Sequence, residues 1–219
     1  MFPKGEMFPM FAAEFMEEKD LIEKASDLFI VYGIKSMTMD EIARQLGISK
    51  KTLYQFVSNK NELVDKVVTC KIDEEQHGVC QVVEPKGNAI DQLMELTAFV
   101  RSNMRKMHPS VMFDLQRYHQ ESWKRIQQHK EHFIYETIKT NLEKGVKDGL
   151  YRDNLNPDIV ARFYLSMVNT VLNPIESGFM DPGYEASEVH EQMMRYHIRG
   201  IANEKGRNYL KEKFKANNI

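Results

Sequence analysis

The chain has 219 residues and a formal net charge of −2, and 42% of its residues are hydrophobic. This length suits one small domain plus a larger one, or a single helical body with a buried core. The balanced charge excludes a generally basic nucleic-acid binder, so any contact with nucleic acid must depend on a local group of cations. Its two cysteines form no C-x-x-C pair and indicate neither a disulfide framework nor a structural zinc site. We expect a cytoplasmic protein without a cofactor.

The opening segment, residues 1–16, is rich in methionine and phenylalanine. Two prolines and two glutamates interrupt it before the apolar core of a signal peptide can form, and nothing in the chain approaches a membrane span. We expect a frayed terminus, with an arm that reaches DNA or a partner as the alternative. The possible translation starts are Met1, Met7, Met10 and Met16.

An amphipathic helix is predicted from about Glu17 to Tyr32, and Gly33 is placed to end it. This helix would brace the elements that follow. Its apolar face consists of Leu21, Ile22, Ala25, Leu28, Phe29 and Tyr32.

Residues 38–57 carry the most specific pattern in the chain, two short helices joined by a tight turn. Thr38 and Glu41 stand in the S/T-x-x-E order of a capping box, which predicts a helix that begins at Thr38. Gly47 stands where a left-handed residue ends a helix at the least cost, and Ser49 can cap the next helix. The sequence therefore predicts a helix-turn-helix.

The second of these helices has an apolar face that includes Leu53 and an outward face suited to DNA. Cations neutralise phosphates, and hydroxyl and amide groups can meet base edges in a major groove. From Lys35 to Lys60 the chain holds five basic residues against two acidic ones. A merely solvated face would explain the lysines alone, but their placement around capped helices favours DNA contact. The outward set is Lys50, Lys51, Thr52, Tyr54 and Gln55.

This block resembles the DNA-binding domain of the TetR family of bacterial one-component repressors. In that family a glycine ends the first helix, a T-x-x-x-I-A helix follows, and then comes G-(V/I)-S-K-x-x-(L/I)-Y-x-x-F-x-x-K-x-x-L. The likeness extends over about residues 17–77. Val57 replaces the usual Phe, Phe56 stands where His or Tyr is common and so removes a polar contact to phosphate, and Lys51 replaces a frequent Gly. The matching positions are Gly33, Thr38, Ile42, Ala43, Gly47, Ile48, Ser49, Lys50, Leu53, Tyr54, Lys60 and Leu63.

The resemblance implies an all-α protein with an N-terminal three-helix DNA-binding domain, residues 17–77, and a C-terminal helical domain for ligand binding and dimerisation, residues 78–219. It implies a homodimeric repressor that binds a palindromic double-stranded DNA operator and is released by a small-molecule inducer. We expect Thr38, Lys50, Tyr54 and Lys60 to anchor phosphates, and Ser49, Lys51, Thr52 and Gln55 to meet bases or nearby backbone.

Beyond the helix-turn-helix the chain reads as helical throughout. A linking helix is predicted from Asn59 to about Gln76, and the stretch holding Gly78, Pro85 and Gly87 is predicted to mark the domain boundary. Further helices are predicted near residues 88–107, 109–121, 122–149, 157–172, 187–202 and 204–215.

Polar and aromatic side chains set among apolar ones in the middle of the chain are candidates for an inducer pocket. In the resembling family this region lines a cavity, although ordinary packing is the more usual explanation for each single residue. His129 with His132, and Cys70 with Asp73 and His77, have helical spacing, but packing and solvation explain both sets and we expect no metal site. The candidate pocket residues are Met112, His119, Trp123, Tyr135 and Asn169.

The last two full helices carry apolar side chains in more than one direction, which a helix covered by both its own core and a partner would show. In the resembling family the corresponding pair forms a dimer interface; a thick monomeric core is the alternative. The competing function is an all-helical ligand carrier or enzyme that keeps the helix-turn-helix as a scaffold. Because no nucleophile, base and acid are grouped and no Gly-rich phosphate loop appears, we do not expect an enzyme.

Overall fold

The computed structural model of the chain describes residues 17–83, 87–172 and 184–216. These residues form helices and one isolated antiparallel bridge between Tyr151 and Ala202, which confirms the all-α class. The helices are α1 (Glu18–Tyr32), α2 (Met39–Gln45), α3 (Lys50–Phe56), α4 (Lys60–Val83), α5 (Ala89–Lys106), α6 (Ser110–Tyr118), α7 (Gln120–His129), α8 (Tyr135–Lys147), α9 (Pro157–Leu172), α10 (Ala186–Ile201) and α11 (Glu204–Ala216).

The helices divide into two compact units, and the division does not follow one cut at residue 77. The first unit combines residues 17–71 with His108–Trp123, and the second combines Ile72–Met107 with the residues from Lys124 onward. Segment 108–123 therefore belongs with the N-terminal helices, although it lies far away in sequence. None of the described helices combines the length and apolarity that crossing a membrane requires.

The first unit has a core built from one face of each helix. Leu21 and Phe29 of α1, Ile42 of α2 and Leu53 of α3 are all at most 2% exposed. This burial follows the predicted apolar faces, except that Tyr32 at the end of α1 is exposed. Helices α1 to α3 thus form the predicted three-helix arrangement.

Helix α4 is longer than predicted, because Gly78 does not end it. Within the second unit the ring of Phe99 packs where a side chain would stand, so that a Cβ added at Gly78 would lie 2.5 Å from the ring. The next residue, Val79, is buried in the same core. Gly78 serves close packing inside a helix, and of the predicted boundary residues Pro85 lies outside the described residues.

The helix predicted over residues 122–149 is a continuous helical run from α7 to α8, interrupted by a π-helical turn at Lys130–Ile134. Such a turn inserts one residue and rotates the faces on either side of it. After the turn, Ile138 and Leu142 lie in the core of the second unit. Asn141 is buried beside them and donates to Ala89 O at 2.8 Å.

Two histidines on α10 are buried in the second unit, His190 at 0% and His197 at 6% exposure. The ring of His197 lies against Tyr164, with 5.5 Å between ring centroids. Burial disfavours the imidazolium form and lowers the pKa of each side chain to about 4, helped at His190 by the charge of Arg101. Both imidazoles are therefore neutral near pH 7.

Because His190 and His197 are buried and neutral, we expect the folded chain to lose stability in acid. Between pH 6.5 and 4 the unfolded chain binds protons on the imidazoles and the folded chain does not, so the free energy of unfolding falls as the pH falls through this window. The expected loss is on the order of 3 kcal/mol for each histidine. His197→Phe, which keeps a ring against Tyr164, should reduce the acid dependence measured by urea unfolding at pH 7 and 4.5.

His132→Gln provides the matched control, because His132 is exposed and its replacement should leave the acid dependence unchanged. A His197→Phe variant as acid-sensitive as the original chain would contradict the assignment.

Candidate nucleic-acid interface

Helix α2 begins with the predicted capping box. The Thr38 hydroxyl accepts the Glu41 N–H at 3.2 Å, and the Glu41 carboxylate accepts the Thr38 N–H at 2.8 Å. The backbone hydrogen bond from Thr38 lowers the pKa of Glu41. These bonds satisfy backbone donors that a helix start otherwise leaves unpaired, which fixes where α2 begins.

The turn between α2 and α3 depends on Gly47 and Ser49. Gly47 has φ = +68°, a left-handed conformation that residues with a side chain rarely adopt. After it, the Ile48 N–H donates to Ala43 O at 3.0 Å and the Ile48 side chain is buried. Ser49 then caps α3 by accepting the Thr52 N–H at 3.0 Å, and the two hydroxyls are 2.8 Å apart.

Helix α3 presents one polar face to solvent. Leu53 is 0% exposed and anchors the opposite face, while Lys50, Lys51, Tyr54 and Gln55 are exposed. Positions i, i+1, i+4 and i+5 of a helix share one side, so these four residues form a single surface. With the Ser49 and Thr52 hydroxyls at its start, this surface combines cations with hydrogen-bonding groups. We call the six residues the α3 face.

Lys50 is held in an ion pair with Asp40 of α2, whose carboxylate lies 2.6 Å from the ammonium nitrogen. The hydrogen bond that Lys50 donates to Asp40 raises the pKa of Lys50. Exposed ion pairs of this kind contribute little to stability. A phosphate can therefore replace Asp40 as the partner of Lys50 at small cost.

Lys60, at the start of α4, is already bonded within the first unit. Its ammonium group donates to Ile34 O at 2.6 Å, and partial burial lowers its pKa. The Lys60 ammonium group thus holds the turn that follows α1, and its predicted phosphate contact stays a prediction. Of the eight predicted DNA-binding residues, the other seven lie on the α3 face or, in the case of Thr38, at the start of α2.

Lys66 is a residue that sequence reasoning missed. Its ammonium group donates to Phe56 O, at the end of α3, at 3.0 Å and pairs with Glu18 of α1. A cation at a helix C-terminus is favourable for the helix dipole. Lys66, which lies on α4, thereby holds the end of α3. No local sequence motif predicts this contact between two helices.

The five predicted pocket residues are divided between the two compact units. Met112, His119 and Trp123 belong to the first unit, and Tyr135 and Asn169 belong to the second. The Tyr135 hydroxyl donates to Asp158. Asn169 accepts a hydrogen bond of 2.7 Å from Lys130, which is 6% exposed and whose pKa burial lowers to about 8.

The residues considered for a metal are engaged otherwise. His129 is buried and stacks on Phe133, with 5.2 Å between centroids, whereas His132 is exposed. His77 Nδ1 lies 2.7 Å from Asp73 O of its own helix. Within the described ranges, no group of three or more possible ligands is placed to hold a metal ion.

The family of bacterial regulatory proteins called tetR matches residues 21–67, a range that spans α1 to α3 and the start of α4. The helix-turn-helix with the α3 face lies inside this match. Residues 21–67 thus form a DNA-binding domain of the TetR family of transcriptional regulators.

Similar proteins extend this family likeness beyond the DNA-binding helices. The chain is 28% identical to the HTH-type transcriptional regulator YvaF of Bacillus subtilis over 142 residues, which is 64% of this chain and 73% of YvaF. It is 24% identical to the HTH-type transcriptional repressor KstR2 of Mycobacterium tuberculosis, over 66% of this chain and 74% of KstR2.

Solved structures show the same fold for this chain. The ketosteroid transcriptional regulator KstR2 of M. tuberculosis aligns with a TM-score of 0.55 at 21% identity, over 88% of this chain and 99% of that one. A transcriptional regulator from Saccharomonospora viridis in complex with choline aligns with a TM-score of 0.69 at 14% identity, over 85% of this chain and 97% of that one.

The geometry of Lys50 predicts opposite effects for two substitutions. Lys50→Ala should weaken binding to an operator duplex and reduce the slope of log K against log salt by about one unit for each bound protomer, because each protomer loses one phosphate contact. Asp40→Asn should strengthen binding by about 2- to 3-fold at low salt, because it removes a competitor of the phosphate. Fluorescence anisotropy at a series of salt concentrations measures both.

Lys211→Ala is the control, since Lys211 is an exposed lysine on α11 and its loss changes the net charge equally. Lys50→Ala and Lys211→Ala variants with identical titrations would exclude the phosphate contact.

Proposed function

We propose that the chain is a dimeric repressor that binds a palindromic DNA operator through the α3 face and is released when a small molecule binds its second unit. The observation that carries this proposal is the α3 face itself, a cationic and hydrogen-bonding surface on a helix fixed by caps at its start. A helix of this kind fits a major groove, with its N-terminal residues near the bases.

Each residue of the α3 face has a role suited to its chemistry. Lys50 and Lys51 neutralise phosphates, and the Tyr54 hydroxyl donates to a phosphate oxygen. Gln55 is long enough to form paired hydrogen bonds to an adenine edge. The Ser49 and Thr52 hydroxyls already bind each other, so they approach the DNA as a preformed pair at the start of the helix.

A second copy of the chain would cover an exposed apolar face of the second unit. On α9, Ile159 and Phe163 are 48% and 63% exposed, whereas Tyr164 on the opposite side is buried. On α10, Tyr196 is 75% exposed and stands one turn from Gly200, around which the space is open. Large apolar side chains beside a small residue suit close packing of helices from two copies, and a two-fold dimer would read two half-sites roughly 34 Å apart.

The proposed inducer acts through α4, whose residues belong to both units. An inducer shifts the equilibrium only if it binds the released state more tightly than the operator-bound state. The similar structures name different small molecules, a ketosteroid and choline, so the ligand class does not follow from the likeness. Among the predicted pocket residues, Asn169 is the one that is bonded to the buried Lys130 of the second unit.

Genomic-fragment selection with the purified full chain tests the proposal. We expect an enriched palindromic fragment that binds with a steep dependence on salt, because each half-site contributes phosphate contacts. The absence of any enriched fragment would contradict the proposed function and favour a carrier role.

A single charge introduced on the proposed dimer face should prevent dimerisation. Phe163→Glu should convert the dimer to a monomer in light scattering, because dimerisation would bury the carboxylate, and operator affinity should fall at least 10-fold. Val31→Glu introduces the same charge at an exposed apolar position of the first unit and should leave the oligomeric state unchanged. A Phe163→Glu variant that stays dimeric would place the interface elsewhere.

A further inference from the structure

The first unit contains a segment from far along the chain that holds the turn in front of the helix-turn-helix. This turn, residues 33–37, joins α1 to Thr38, the cap of α2. Segment 108–123, which includes α6, packs with it in the same compact unit. The family match ends at residue 67 and does not include this segment.

Asp114 of α6 makes the central contact. Its side chain is buried, and its Oδ2 accepts the backbone N–H of Lys35 at 2.8 Å and the hydroxyl of Ser110 at 3.3 Å. The carbonyl of the same peptide unit is held as well, because Ile34 O accepts a hydrogen bond from the Lys60 ammonium at 2.6 Å. The turn is therefore fixed by an anion on one side and a cation on the other.

Further contacts leave the turn little freedom. Gly33 has φ = +80°, and a Cβ added there would lie 2.5 Å from Ser110 Oγ, so α6 approaches the backbone closely. The Lys35 ammonium donates to the Tyr118 hydroxyl at 2.9 Å and lies 4.8 Å from the centre of that ring. The N–H of His108 donates to Ile30 O, at the end of α1, at 2.7 Å.

The position of this turn determines where α2 begins. Ile34 and Met37 of the turn are buried, so the turn cannot shift without disturbing the core. Thr38 follows directly, and α2 in turn supports α3 through the Gly47 turn. A displacement of the Lys35 backbone would therefore move the α3 face relative to α1.

We propose that Asp114 is a positioning residue for DNA binding, whose buried carboxylate holds the Lys35 backbone and thereby makes segment 108–123 a working part of the DNA-binding unit. This inference rests on the proposed function. A buried carboxylate is costly unless it is hydrogen-bonded and near a cation, and here the Lys35 amide and the half-buried Lys60 supply both. An apolar side chain of similar size would fill the space without holding the turn.

Two substitutions of Asp114 distinguish a side chain that holds the turn from one that only fills the space beside it. Asp114→Leu removes the acceptor of the Lys35 N–H, whereas Asp114→Asn keeps an acceptor oxygen but removes the charge. Glu121→Gln is the matched control, since Glu121 is an exposed carboxylate of the same segment and its change alters the net charge equally. The readouts are affinity for the selected operator at two salt concentrations and hydrogen exchange of the Lys35 amide.

We expect Asp114→Leu to lose at least 10-fold in operator affinity with an unchanged salt slope, because the phosphate contacts remain but are misplaced. Asp114→Asn should lose about 3-fold and Glu121→Gln less than 2-fold, and the Lys35 amide should exchange at least 10-fold faster in the leucine variant. If Asp114→Leu does not fold, the comparison of Asp114→Asn with Glu121→Gln decides.

A folded Asp114→Leu variant with the affinity and amide exchange of the original chain would overturn the inference, as would an Asp114→Asn variant indistinguishable from Glu121→Gln. Failure of the original chain to select any operator is a different result, because it removes the proposed function before Asp114 is tested.

Discussion

The α3 face depends on the left-handed backbone of Gly47. That residue ends α2 and lets Ile48 enter the core, and Ser49 can then cap α3 at the required position. With a side chain at this position the turn would be strained, although the space around it is open, so the requirement is conformational rather than steric. The α3 face is a consequence of this turn and of the buried Leu53 beneath it.

Local signals in the sequence predicted most of this unit. The capping box of Thr38, the Gly47 turn and the Ser49 cap each involve residues within a few positions of one another, and all are present. Contacts between distant residues could not be predicted in this way. Asp114 meets Lys35 across 79 positions, and the Lys60 ammonium turns inward to Ile34 O because a partner carbonyl lies within reach.

The structure of the second unit differs more from the sequence prediction, again because of contacts between distant residues. Glycine suggested a boundary at Gly78, but the neighbouring ring of Phe99 makes glycine a packing residue there. The spacing of apolar residues also cannot predict the π-helical turn at Lys130–Ile134. The residue that such a turn inserts rotates the side chains after it to another side of the helix, and the composition of the segment gives no sign of this. Lys130 begins this turn and is buried, a costly placement for an ammonium group. Such turns occur frequently at functional sites, which agrees with a ligand-binding role for this unit.

The most direct test of the account is lysine acetylation of the full chain, followed by mass spectrometry, with and without the selected operator duplex. We expect strong protection of Lys50 and Lys51 by the operator, with Lys60 slow to react in both states because its ammonium group is already bonded to Ile34 O. A scrambled duplex at the same concentration should protect much less. Equal reactivity of Lys50 and Lys51 with and without operator, together with protection of lysines on α11, would contradict the claim that the α3 face reads DNA.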